Sequence, residues 1–246
     1  MTSEELYKTI VSKFMDIPGV KDILSEEVTI HAKSLTAEEA IGHPDRWDYP
    51  IITGKDVMID AEYHGYHGQA FTDAPADFHG TLKDILEMPF ATDNHARGLL
   101  IASINAIMGS MGLCSKTVHC KDGGPAICGK EMARYLFAEY GDIKVLQVGF
   151  QPAICINLSE TFTNFRVLDL NKDNIGQQKG KAIVEDGVKD MKDAIAWADL
   201  ILCTGSTLCN GTIVDYLDTG KETLYFGTSL AGTAILLGLK RLCFAD

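Results

Sequence analysis

The sequence predicts an α/β protein in which a small α+β domain, residues 1–141, precedes a Rossmann-like parallel-sheet domain, residues 142–246. Three observations carry that expectation. From Ile143 onward the chain repeats apolar run, turn, helix, apolar run. Before that point, helical spacings are interrupted by short stretches of period-two alternation. Between the two regimes stands Gly141, placed as the C′ residue that ends a helix.

In chain order, Leu6, Ile10 and Phe14 recur at spacings of four and predict an opening helix that Pro18-Gly19 stops. Val28 and Ile30 mark one candidate strand and Val57 and Ile59 a second, with a turn-rich loop at 42–50 between them, so the pair reads as a hairpin or meander edge. Leu82, Ile85 and Leu86 mark a short helix. The longer helix at 99–111 carries Ala102, Ser103 and Ala106, small enough for close packing. A further helix spans 124–140, with Pro125 able to open it at N1. Strands follow at 144–148, 166–170, 200–204 and 223–227; their continuous apolar runs imply burial on both faces and right-handed crossovers. No internal repeat or low-complexity linker separates the parts, so they should pack closely enough to share a cleft.

Composition narrows the function. With 22 basic against 34 acidic side chains the formal charge is −12, which repels phosphate backbones and anionic membranes alike. The longest basic run, Lys179 to Lys181, is broken by Gly180. Nucleic acid and membrane are therefore not expected partners. Glu4, Glu5 and Lys8 spoil any signal-peptide pattern, and no apolar run approaches the roughly 18 residues of a membrane span. The 7 cysteines are odd in number and sit in apolar contexts, so they read as reduced thiols of a cytoplasmic protein.

Ligands of open parallel sheets sit beyond the carboxyl ends of the strands. At the first such end, VGFQPAI, only Gly149 remains of a GxGxxG turn, which argues against a standard dinucleotide site. Asp169, at the next strand end, could hold a ribose hydroxyl or could simply cap the turn DLNKDN. The third strand end carries TGSTLCNGT, residues 204–212. One helix cap needs one hydroxyl, and this segment supplies several, so Thr204, Ser206, Thr207 and Asn210 are candidate hydrogen-bonding groups for a ligand. FGTSLAG, with Thr228, repeats that chemistry at the fourth.

All 7 histidines precede residue 120. His64 and His67 have His-x2-His spacing but no second ligand pair. In TVHCKDGGPAICGKE, His119 and Cys120 could form a soft-metal pair, or His119 with Asp122 could transfer a proton; the alternative is a loop whose polar groups bond backbone. GQAFTDAP offers Thr72 and Asp73. On the long helix, Arg97 is either a surface cation or a ligand anchor.

VGFQPAI, the VLDL strand and WADLILCTGSTLCNGTIVDYL, together with GQAFTD and ASINAIMG in the first half, resemble a prokaryotic family of unknown function to which heavy-metal chelation is ascribed. The resemblance implies an enolase N-terminal-like domain followed by a Rossmann-like domain, with a site between them. It carries over to Asn105, Gly149, Pro152, Asp169, Thr204, Gly205, Thr207, Asn210, Gly211 and Thr212. This chain departs from it at Phe150-Gln151 and at Gly227-Thr228-Ser229. The expected function is binding, with or without processing, of a small organic ligand or metal chelator; a divalent metal ion or a pterin-like or nucleotide-like molecule would be the cofactor. A non-catalytic metal-sequestering protein and an S-adenosylmethionine-dependent enzyme are the alternatives. The oligomeric state is left open.

Overall fold

The computed structural model describes residues 1–25, 33–49, 51–52 and 57–245. The expected strand at Val28 and Ile30 lies outside these residues, as does His31. Helix α1 (Ser3–Met15) opens on a capping box in which the Thr2 hydroxyl accepts from the Glu5 N–H and the Glu5 carboxylate accepts from the Thr2 N–H. It buries Leu6, Tyr7, Ile10 and Phe14, the stripe its spacing predicts. After β1 (Lys33–Ser34) and α2 (Ala37–Ile41), β2 (Val57–Tyr63) and β3 (Tyr66–Thr72) form an antiparallel hairpin, and β1 lies on the other side of β2. The hairpin therefore joins 57–63 to 66–72. Its two-residue turn is His64-Gly65, with φ of 50° and 78°, the positive values a primed turn requires.

Helix α3 (Leu82–Leu86) is followed by α4 (Asn94–Ser110), which starts on Asp93, earlier than its apolar pattern indicated. Every residue of α4 from Ala96 to Met108 is buried. A helix covered all round needs partners on every side. It lies between the hairpin and the seven-stranded sheet, in one cluster of buried apolar side chains that runs from Leu6 and Ile10 through Leu99 and Ile104 to Leu146, Leu168 and Ile201. Helix α5 (Gly124–Tyr140) has Pro125 in its first turn and stops at Gly141 with φ 71°, as expected. It packs on the far face of the seven-stranded sheet, where Met132, Ala133 and Leu136 meet Ile154, Leu158, Leu200 and Leu202.

The remaining elements are β4 (Val145–Val148), α6 (Pro152–Thr161), β5 (Phe165–Asp169), β6 (Gln178–Lys179), β7 (Ala182–Asp186), α7 (Met191–Trp197), β8 (Leu200–Thr204), α8 (Ser206–Asn210), α9 (Val214–Leu217), β9 (Glu222–Phe226), α10 (Ala231–Leu237) and β10 (Arg241–Leu242). The sheet order is β10-β9-β8-β4-β5-β7-β6, and only β6 runs antiparallel to its neighbour. Numbered along the chain, the six parallel strands stand 3-2-1-4-5-6, the order of doubly wound dinucleotide-binding sheets. Strand order reverses between β4 and β8, so the connections from these two neighbours depart in opposite directions and leave a crevice beyond their carboxyl ends. Among the described residues no helix is long and apolar enough to cross a membrane.

Candidate functional site

Gly149 follows β4 and Thr204 ends β8, so both stand at that crevice. Gly149 has φ 84°, and a Cβ there would come within 2.4 Å of Thr204 Cγ2. Glycine is required on both counts, and its absence of a side chain keeps the space beside Thr204 open. A cavity of about 500 Å³ lies here, walled by Gly149, Asp169, Thr204, Ser206, Asn210 and Thr212 on one side and by Phe71, Thr72 and Asp73 at the end of β3 on another. A second cavity of about 160 Å³ shares Phe71, Gly149, Asp169, Asn171, Thr204 and Ser206 with the first and reaches His119, Cys120, Cys128, Cys243 and Thr228.

The segment TGSTLCNGT runs up to the short helix α9, as its position before Ile213, Tyr216 and Leu217 suggests, but residues 206–210 are themselves helical, as α8, which Gly211, at φ 82°, closes in the left-handed conformation. Several of its polar groups serve the turn. Thr207 Oγ1 donates to Thr204 O at 2.6 Å, and Asn210 Oδ1 accepts from Thr212 N and Oγ1 at 3.0 and 2.7 Å. Thr207 therefore holds the bend instead of presenting a free donor. Thr204 Oγ1 and Ser206 Oγ lie 3.2 Å apart on the wall common to both cavities, and the Asn210 amide nitrogen has no acceptor among the described residues.

Asp169 lines both cavities, yet its carboxylate accepts the N–H groups of Phe150 and Asn171, both at 2.7 Å, and Asn174 Nδ2 at 3.3 Å. It caps the DLNKDN turn and ties the β4–α6 turn to β5, which is the turn-capping alternative of the two weighed above.

His119 is held through β3. Gln69 N donates to Thr117 O at 2.8 Å, and Gln69 Oε1 accepts the His119 N–H at 2.7 Å, so the loop runs along the strand. The imidazole Nδ1 is 2.6 Å from Cys120 O, and its ring meets Phe71 edge-on at 5.6 Å. Burial pushes its pKa below the ordinary 6.5, outweighing the opposing pull of the Cys120 carbonyl. The expected acid–base pair is not assembled. Asp122 is exposed, has φ 54°, and its Oδ1 accepts the His43 N–H at 2.9 Å; no hydrogen bond joins it to His119 and it lines neither cavity. His119 and Cys120 both border the smaller cavity, where Nδ1 is engaged by the Cys120 carbonyl and burial pushes the Cys120 thiol up to about 12. Among the described residues no group of three or more His, Cys, Asp or Glu is arranged to hold a metal ion.

The lowered His119 pKa has a sign. Above the ordinary imidazole pKa of about 6.5 neither state carries the extra proton; below it the unfolded chain protonates first, so stability falls with pH until the folded pKa is passed, by at most about 1.4 kcal/mol per pH unit. Urea unfolding at roughly pH 7.5 and pH 5.5 should show a larger loss for the wild type than for His119→Phe. Equal losses would show that His119 does not carry the effect.

Other expected site residues stand away from the cavities. Pro152, at the start of α6, is buried, and Gly205 donates its N–H to Phe226 O at 2.7 Å; neither lines a cavity. Gly211 packs against the Arg97 guanidinium. Arg97 is buried, donating to Phe90 O, Ala91 O and Asn94 Oδ1 at 2.6, 2.6 and 2.7 Å, so it is neither a surface cation nor a ligand anchor. Asn105 is 0% exposed; its amide bonds Gln69, Thr228 and Gly232 backbone and faces no ligand space. His67 pairs with Asp60 at 2.6 Å, while His64 stacks on Tyr63, so the two do not share a site. The walls also include Met191, Asp215 and Tyr216, which sequence reasoning did not single out.

A family profile described as "DUF364: Putative heavy-metal chelation" matches residues 134–231. No curated protein matches the chain significantly. Among solved structures, a DUF364-family protein of unknown function from Pyrococcus horikoshii superposes with a TM-score of 0.55 at 15% identity, covering 91% of this chain and 79% of its own. Another, from Desulfitobacterium hafniense DCB-2, gives 0.52 at 12% identity, covering 96% and 84%. At these identities the two structures speak for the fold. The family that TGSTLCNGT resembles is thus the one the comparisons return, and residues 134–231, from the last turns of α5 into α10, carry the DUF364 match.

Proposed function

We propose that the protein binds a small organic ligand, or a metal ion already held by a small chelator, between the carboxyl ends of β4, β5 and β8 and the tip of β3. The carrying observation is the cavity of about 500 Å³ at the strand-order reversal, walled by Thr204, Ser206 and Asn210. That volume falls in the range of small-molecule sites, roughly 300–1,000 Å³, and mixed apolar and hydroxylated walls suit an organic body with a few polar groups. The chelation ascribed to the family fits a metal arriving inside a chelate better than a bare ion, because the described residues assemble no set of protein ligands for one. Free thiols at all 7 cysteines accord with a reducing cytoplasm as the place of action.

Ser206 stands on the wall common to both cavities, and Ser206→Leu would fill that wall. Native mass spectrometry and thermal unfolding after incubation with a small-molecule metabolite extract should show a retained molecule and a raised Tm for the wild type. At about 100 times Kd the stabilisation is about 2.7 kcal/mol, several degrees for a chain of this size. The folded Ser206→Leu protein should retain nothing. If both proteins keep the same molecule, or neither keeps one, the cavity is not the ligand site.

A further inference from the structure

The polar groups around the two cavities are unequal in kind. Among the described residues neither cavity is lined by a Lys or Arg side chain, whereas the larger has three carboxylates, Asp73, Asp169 and Asp215, from three separate elements. Asp73 takes both of its bonds from Asn94 Nδ2, and the exposed Asp215 carboxylate has no protein partner among the described residues. The position where dinucleotide-binding sheets receive a pyrophosphate, the β4–α6 turn, is already supplied with acceptors by the protein itself. The Phe150 N–H donates to Asp169 Oδ2 at 2.7 Å, and Gln151 Oε1 takes the Ile154 N–H at 2.6 Å. An incoming phosphate would find those donors spent and a carboxylate in its place.

The smaller cavity adds an acceptor of its own. A carbonyl oxygen can only accept, so the contact between His119 Nδ1 and Cys120 O puts the ring hydrogen on Nδ1. The neutral ring, favoured by its burial, then offers Nε2 as a lone pair, and no protein donor reaches that nitrogen among the described residues.

On the reading that this space is the ligand site, we infer that its ligand is a non-anionic hydrogen-bond donor, an amine-, amidine- or amide-bearing organic molecule and not a phosphate ester, one of whose N–H groups is received by His119 Nε2. The carboxylates draw the cationic or donor-rich end into the larger cavity, Phe71 and Tyr216 flank its flat body, and the shared wall at Thr204 and Ser206 leads to the imidazole. A nucleotide would have to bring its charge against Asp169 and Asp215 with no Lys or Arg among the described lining residues to meet it.

Three matched probes test this on the full chain: benzamidinium, benzamide and phenyl phosphate, followed through the methyl resonances of Met191 in the larger cavity and Ile154 in the smaller, and through the His119 ring nitrogens. Benzamidinium should bind tightest and benzamide more weakly, both moving the Nε2 resonance, while phenyl phosphate at about 10 mM moves nothing. Asp215→Asn, which removes an exposed and unpartnered charge, should weaken benzamidinium about five- to tenfold and leave benzamide unchanged. Phenyl phosphate shifting the same methyls as strongly as benzamidinium would overturn the inferred charge class while leaving the cavity as a ligand site. Methyl shifts with an unmoved Nε2 resonance would overturn the role of His119. Silence from all three probes would overturn the inference and the cavity reading together.

Discussion

Asn105→Leu is expected to destabilise the protein by about 3–5 kcal/mol, a drop in Tm of the order of 10 °C for a chain of this length. Asn105 is 0% exposed near the middle of α4 and joins three segments distant in sequence. Its Nδ2 donates to Gln69 O on β3 at 3.0 Å and to Thr228 O at 3.2 Å, and its Oδ1 accepts the Gly232 N–H in the first turn of α10 at 2.8 Å. Leucine matches the volume and none of the bonds. It leaves an amide hydrogen and two carbonyls buried without their partner, and each unsatisfied buried group costs about 1–3 kcal/mol. The surroundings offer no easy relief, since Gly232 lies against Ile104 and Met108 of the same helix. Urea denaturation with an unchanged m-value measures the loss; a cost below about 1 kcal/mol would mean the amide is not the clamp between α4, β3 and the β9–α10 connection.

How much of this was legible in the sequence depends on where each interaction's partner lies. The strands 145–148, 165–169, 200–204 and 222–226 are visible because burial on both faces makes them continuous apolar runs, and Gly141 is visible because a helix end needs a left-handed residue locally. The TGSTLCNGT bend falls at the strand-order reversal, as a hydroxyl-rich strand end in a parallel sheet suggests. The strands β6, β7 and β10 escaped detection: β6 and β10, at the sheet edges, are only two residues long, and the apolar run of β7, AIVED, stops after three residues at Glu185. The His119–Asp122 pairing failed for a different reason. Their spacing brings them near in sequence, but the left-handed backbone at Asp122 turns its carboxylate toward the His43 N–H, 79 residues away, and no local pattern records such a partner. Asn105 enters as a ligand-site residue only through the family resemblance; in the structure it is a satisfied buried amide, the commoner reason for a polar residue in a core.

Gly68→Ala is expected to cost about as much as the loss of Asn105, about 3–5 kcal/mol, and for a connected reason. A Cβ at Gly68 would stand 2.2 Å from Ala106 N, 2.3 Å from Ala102 O and 2.8 Å from Asn105 C. All three are backbone atoms of α4, so no side-chain rotation relieves the overlap; the helix must lift off β3 by roughly an ångström, since a relaxed contact needs more than 3 Å. That lift draws Asn105 Nδ2 away from Gln69 O, the neighbour of Gly68, now bonded at 3.0 Å. The two substitutions therefore break one structure, and the double variant should lose clearly less than the sum of the singles, a coupling of about 1 kcal/mol or more in a double-mutant cycle. The consequence reaches the cavities, because β3 carries Phe71, whose N–H donates to Ser229 Oγ at 3.0 Å, and holds the loop of His119 through Gln69. A folded Gly68→Ala protein should accordingly bind benzamide more weakly than the wild type although the substituted residue lines neither cavity. Full stability with strict additivity would mean that α4 does not sit this close to the strand, and the support for both cavity walls would have to be sought elsewhere.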